Sequence, residues 1–184
     1  MESAALFKTL EPYRAREHYL TSIDWSKTSE LSAVFDALVA FPVVVDRDAV
    51  DFFARWREIS AIVQEEGSRR YLAMTLDTSD SARAAAYEFF TQKLQPILAE
   101  KVQALKQRVL SERLLSHRCQ AEAPEFYRAL ESDAQIFRQE NIPLQTELSR
   151  LSQEYQKVSA GLTLDWRGAS VTVTQLAKEM ENPN

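Results

Sequence analysis

Only three glycines, Gly67, Gly161 and Gly168, interrupt a chain of 184 residues. A backbone with so few flexible points, rich in leucine, alanine and charge, favours long helices. The scarcity also removes whole classes of chemistry. A phosphate-cradling loop needs several glycines close together, so P-loop and dinucleotide-binding readings fail. At 45% hydrophobic and 27% charged, the chain holds enough apolar side chains to bury a core. Its length suits one domain, or one domain plus a fragment.

Apolar spacing predicts where the helices run. Pro12 suits a first helical position, with Tyr13 to Leu20 following as a short helix. Thr28 or Ser29 is the expected N-cap of a helix through Phe41, stopped by Pro42. Asp46 is expected to cap the next, in which Phe52, Trp56, Ile59 and Val63 form one stripe and Gly67 ends the helix. Residues 71–76 suit either a strand or a helical turn, and the helical surroundings favour helix. Thr78, Ser79 and Asp80 form an N-cap cluster before a long helix that Pro96 must kink or break. Beyond it, Leu98, Val102, Leu105 and Val109 keep a four-three spacing.

After a polar stretch over residues 116–123, Pro124 starts another helical run. Its stripe is Phe126, Leu130 and Phe137, then Leu144, Leu148, Leu151, Tyr155 and Val158 past Pro143. The last five alternate four and three, the spacing of a helix packed along a partner. Gly161 ends the run and the period changes to two. Leu162, Leu164 and Trp166, then Val171 and Val173, predict a two-stranded hairpin around Arg167 to Ser170. Thr174 is expected to cap a last helix, Gln175 to Met180. The fold class that follows is mainly all-α, with long antiparallel helices and a short β-hairpin near the C-terminus. Trp56, Phe89, Leu105, Leu148 and Tyr155 are the expected core, and all three tryptophans (Trp25, Trp56, Trp166) read as core anchors.

Charge and targeting signals are plain. The net charge of −5 argues against nucleic acid as the main partner. The longest apolar run, 39–45, is short and contains Pro42, so no membrane partner is expected. Glu2 stands where a signal peptide would carry positive charge. A single cysteine, Cys119, cannot close an internal disulfide, which fits a reducing, cytoplasmic location.

Chemistry-bearing residues do not assemble into a site. His18 and His117 are far apart, and His117 with Cys119 makes a lone H-x-C pair. Such a pair lacks the further ligands zinc requires and the orienting group that cysteine catalysis requires. The acidic pairs Glu65-Glu66, Asp77/Asp80 and Glu179/Glu181 read as helix-end caps or solvated charge. The basic clusters Arg55/Arg57, Arg69-Arg70 and Lys101/Lys106/Arg108 read as solvated faces. No catalytic, cofactor-binding or metal-binding residue is assigned.

Several stretches together resemble one family. The run Arg70 to Asp80, then Ala86-Tyr87-Glu88-Phe89-Phe90 and Leu94-Gln95-Pro96, is similar to the N-terminal half of oligoendopeptidase F-type proteins. These are thimet-oligopeptidase-like zinc metallopeptidases. Ile136 to Leu144, with Leu151 and Tyr155, resembles the family's next helical block. Leu164-Asp165-Trp166-Arg167-Gly168, with Val173-Thr174-Gln175-Leu176, resembles the hairpin after it.

The resemblance implies a helical N-terminal peptidase region over 1–160, then over 161–184 a hairpin and the start of a further helical segment, cut short. In the family this region walls a deep channel over the catalytic domain. There an HExxH helix and a further glutamate hold zinc for hydrolysis of short peptides. No HExxH occurs here, so zinc and catalysis are expected only in the full-length protein, and this segment is expected to be inactive alone. Its implied partners are the C-terminal catalytic domain and short peptide substrates. The competing expectation is a stand-alone helical protein-interaction module using the stripe from Leu144 to Val158. A small enzyme built on His18 or His117 is the third.

Overall fold

The computed structural model describes residues 16–19, 23–77 and 80–181. Eleven elements follow in order, beginning with α1 (Thr28–Val39) and α2 (Asp46–Leu76). Then come α3 (Ser81–Phe89), a single π-helical turn (Phe90–Leu94) and α4 (Gln95–Ser111). The helices α5 (Arg113–Glu122), α6 (Pro124–Ile136) and α7 (Asn141–Gly161) complete the main body. Strands β1 (Thr163–Trp166) and β2 (Ala169–Thr172) precede α8 (Val173–Glu181). The mainly helical class with one C-terminal hairpin is therefore observed.

α4 is the hub, packing against α1, the π-turn, α5, α6 and α7. Its Leu98, Leu105 and Val109 are buried beside Leu31, Phe35 and Leu38 of α1. Phe52, Trp56 and Ile59 of α2 and Leu115 and Cys119 of α5 join the same core. Trp56 and Leu105 are thus core residues as expected, and Phe89 is half-buried against the core.

Local chemistry sets the boundaries. α1 begins at Thr28 with Lys27 as the flanking residue, and it ends at Val39, not Phe41. Asp46 is the first helical residue of α2; the capping carboxylate is that of Asp48, which accepts from the Val44 and Val45 amides at 2.8 and 2.9 Å. Those two bonds hold the Asp48 pKa below the usual carboxylate range. Asp80 caps α3 as expected, accepting from the amides of Ala82 and Arg83. Thr78 and Ser79, and Pro12 with half of the expected Tyr13–Leu20 helix, lie outside the described residues. Of that helix, Arg16 to Tyr19 are described and are not helical.

Gly67 does not end α2. The helix continues to Leu76, so 71–76 are helical. The glycine is there for contact: a Cβ at Gly67 would lie 2.8 Å from two ring carbons of Phe90. Pro96 acts one turn upstream of itself. It cannot donate to the carbonyl of Gln92 and its ring would crowd that carbonyl, and the backbone widens into the π-turn.

The run from Pro124 is two helices rather than one, α6 and α7, separated at residues 137–140. The polar stretch 116–123 is helical too, as most of α5. The hairpin pairs Thr163 with Thr172 and Trp166 with Ala169. Its turn is two residues long, Arg167 and Gly168, at φ of 52° and 84°. Positive φ at both positions is the type I′ pattern, matched to the twist of the strands. α8 starts at Val173, capped by Thr172 instead of Thr174: the Thr172 hydroxyl accepts from the Gln175 amide while the Gln175 side chain accepts from the Thr172 amide.

Candidate functional site

α5 separates the two residues most suggestive of chemistry. His117 and Cys119 are two apart on one helix, so their side chains point in nearly opposite directions. His117 is exposed and Cys119 is buried. Burial pushes the Cys119 thiol up, away from the thiolate that nucleophilic chemistry needs. His18 lies in the segment before α1, where its backbone amide, with those of Glu17 and Tyr19, donates to the Glu58 carboxylate. Among the described residues no group of three His, Cys, Asp or Glu could hold a metal ion.

Several charged residues have structural tasks that the sequence reading missed. Glu65 and Glu66 are inside α2, not at its end, and bind Arg16, Arg69 and Arg70. Arg70 also donates to the Ala86 carbonyl at 2.9 Å, tying α2 to α3. Lys101 pairs with Asp36 of α1, and Lys106 with Asp133 of α6. Arg108 is half-buried and donates to the carbonyls of Leu38, Val39 and Phe41. These side chains therefore join helices rather than merely face water. Only long-range geometry reveals this, because their partners lie far off in sequence: Asp133 is 27 residues from Lys106, and the carbonyls that Arg108 meets are about seventy residues away.

The most unusual surface belongs to α7. Leu144, Leu148, Leu151, Tyr155 and Val158 lie along one line of the helix, and all are exposed, from 48% at Leu151 to 72% at Tyr155. Leu148 and Tyr155 are therefore not core residues, contrary to the expectation from spacing. At 3.6 residues per turn, Ile142, Thr146 and Gln153 fall on the opposite side of α7. That side faces the body. Ile142 is buried, and Gln153 donates to the Thr91 hydroxyl in the π-turn at 2.9 Å. Thr91 is one of the few buried polar residues, and its own hydroxyl donates to the Glu88 carbonyl.

α7 is thus inside-out: its polar side meets its own domain and its apolar stripe faces away. The pattern alone could not disclose this. Spacing identifies a stripe but not the direction in which it faces. The apolar surface continues past the helix. Leu162, Val173 and Met180 are exposed, as is Trp166, which is consequently not a core anchor. Arg167 lies over the Trp166 ring, 5.6 Å from its centre.

A second feature is a cleft of about 850 Å3 lined mainly by α2 and α6, with Val102 and Lys106 from α4 and Arg118, Cys119 and Glu122 from α5. No helix among the described residues is long and apolar enough to cross a membrane. No family model matches the chain, and neither does any curated protein or solved structure.

Proposed function

We propose that this chain is the non-catalytic N-terminal region of an oligoendopeptidase F-type zinc metallopeptidase, and forms a wall of its peptide channel. The observation that carries the reading is the reversed α7. A helix that turns its polar side to its own domain and a 21-residue-long element's apolar stripe outward is built to be covered by something else. In this reading the cover is the catalytic domain, docked along Leu144 to Val158 and the hairpin.

The ordered matches at Arg70–Asp80, Ile136–Leu144 and Leu164–Gly168 support the same reading. A rigid helical wall contributes no ligand or nucleophile. It restricts access by geometry, admitting extended short peptides and excluding folded proteins. Zinc and its HExxH helix belong to the catalytic domain, together with the general base.

The test has a genetic arm and a biochemical arm. The reading frame beyond Asn184 is expected to encode an HExxH helix, and a stop codon there would overturn the proposal. The extended protein is expected to hold one zinc and cleave a quenched fluorescent peptide. In it, Leu148→Glu with Tyr155→Glu should cut cleavage at least about tenfold while leaving zinc content unchanged. The same stripe also suits the runner-up, a stand-alone interaction module. A natural stop at Asn184, with self-association lost in the same double variant, would select that alternative.

A further inference from the structure

The cleft between α2 and α6 carries an inference independent of the channel reading. Phe53, Trp56 and Val102 supply apolar wall, with Phe126 and Leu130 from α6. Its volume, about 850 Å3, falls in the range of small-molecule sites. Its two banks are pinned together: the rings of Trp56 and Phe126 meet edge-on with centroids 6.0 Å apart. A helix is about 10–12 Å across with its side chains, so one cannot lie through that crossing without displacing Phe126.

The charges of the cleft are unequal in their bonding. Lys106 is held by Asp133, and Arg118 by both Asp46 and Glu122. Arg57 is different. It lines the cleft from α2 and has no ion-pair or hydrogen-bond partner among the described residues. Arg118 adds a second unused donor, because its Nε is buried and makes no hydrogen bond. An apolar slot with a free guanidinium at its edge is complementary to an apolar body carrying one negative charge.

We propose that this cleft binds an amphipathic monocarboxylate, of the size of a medium-chain fatty acid, with its chain against Trp56, Phe126 and Leu130 and its carboxylate on Arg57. A neutral chain would leave Arg57 unpaired at the mouth. A dianion would exceed the single uncompensated positive charge of the cleft, since Lys106 and Arg118 are already offset by Asp133, Glu122 and Asp46.

Decanoate, below its micelle concentration, is the probe, with decanol as the neutral control. Isothermal titration calorimetry of the 184-residue chain is expected to show one-to-one decanoate binding tighter than about 1 mM. Decanol should bind about fivefold more weakly. Arg57→Gln should weaken decanoate by the same factor and leave decanol unchanged, and Ala129→Trp, which fills the cleft from α6, should abolish binding of both. Ala61→Trp fills it from α2 and decides the matter if the first variant does not fold. The exposed α7 stripe is intact in every variant, so adsorption there would survive the tryptophan substitutions. Absence of saturable binding overturns the proposal. So does equal affinity for acid and alcohol, or binding that persists in both filled variants.

Discussion

Gly67 brings the backbone of α2 against the ring of Phe90, so close that a Cβ at Gly67 would stand 2.8 Å from Cε1 and Cζ. Two effects then compete in Gly67→Ala. Alanine gains about 1 kcal/mol of helix propensity in the middle of a helix. Overpacking costs about 1–3 kcal/mol, and Phe90 is only 4% exposed, so its ring must shift against the packed body to admit a Cβ. The clash wins, and urea denaturation should show Gly67→Ala destabilised by about 1 kcal/mol. In a Phe90→Leu background the sign should reverse, because the obstructing ring is gone. A stabilised single variant would show that the contact is loose.

That contact also shows where the sequence is informative and where it is silent. The helices, the disturbance that Pro96 imposes and the hairpin after Gly161 follow from composition and period, which are local properties. Gly67 looks like a stop because glycine is a good terminator in isolation; only Phe90, twenty-three residues later, explains why a glycine stands inside the helix. Leu148 and Tyr155 fail for a related reason. Their spacing is real, but the direction a stripe faces is set by what its helix packs on. The cleft was invisible because its walls, Trp56 and Phe126, each read as ordinary stripe residues.

Glu58 holds the segment before α1 through three backbone amides: Glu17 at 3.0 Å, His18 at 3.1 Å and Tyr19 at 2.8 Å. Burial acts to raise its pKa, but the amides of Glu17, Tyr19 and His18 outweigh it and the net shift is downward. A depressed folded-state pKa contributes stability above the unfolded value, about pH 4.3 for glutamate, and loses it as pH falls through the folded one. Glu58→Gln is not conservative here, since its NH2 group would face donors. We expect it to cost about 1–3 kcal/mol at neutral pH. Below about pH 4 its stability curve should run flatter than that of the wild type. Parallel acid titrations of unfolding free energy test this, and superimposable curves would contradict it.

Arg108 closes the C-terminal end of α1. Its Nη1 donates to the carbonyls of Leu38 and Val39, Nη2 to that of Phe41 at 2.6 Å, and Nε to Glu112 at 2.8 Å. The guanidinium also lies 5.1 Å from the centre of the Phe52 ring. Last-turn carbonyls lack helical donors and carry partial negative charge, so a planar cation with several N–H groups suits them. Removing it strands several acceptors at once. Arg108→Ala should cost about 3 kcal/mol, and Arg108→Lys should recover less than half, because one ammonium cannot span that fan of acceptors. Thermal denaturation of the two variants gives the answer; equal stability of lysine and wild type would mean that charge alone matters.

The reversed α7 makes a prediction opposite to the one its spacing suggests. A residue whose side chain is already in water loses little on truncation, so Leu148→Ala, at 64% exposure, should change the stability of the isolated chain by less than about 0.5 kcal/mol. Tyr155→Ala should behave alike. Leu105→Ala, fully buried on α4, should cost about 2–5 kcal/mol through lost burial and the cavity left behind. Urea denaturation at low protein concentration separates the cases. If Leu148→Ala costs as much as Leu105→Ala, the stripe is covered in solution. Repeating the measurement at high protein concentration then identifies the cover: a cost that grows with concentration belongs to a second copy, because association stabilises by mass action. A cost that does not change places the cover within the chain itself, and with it fails the argument that α7 presents its apolar side for another domain.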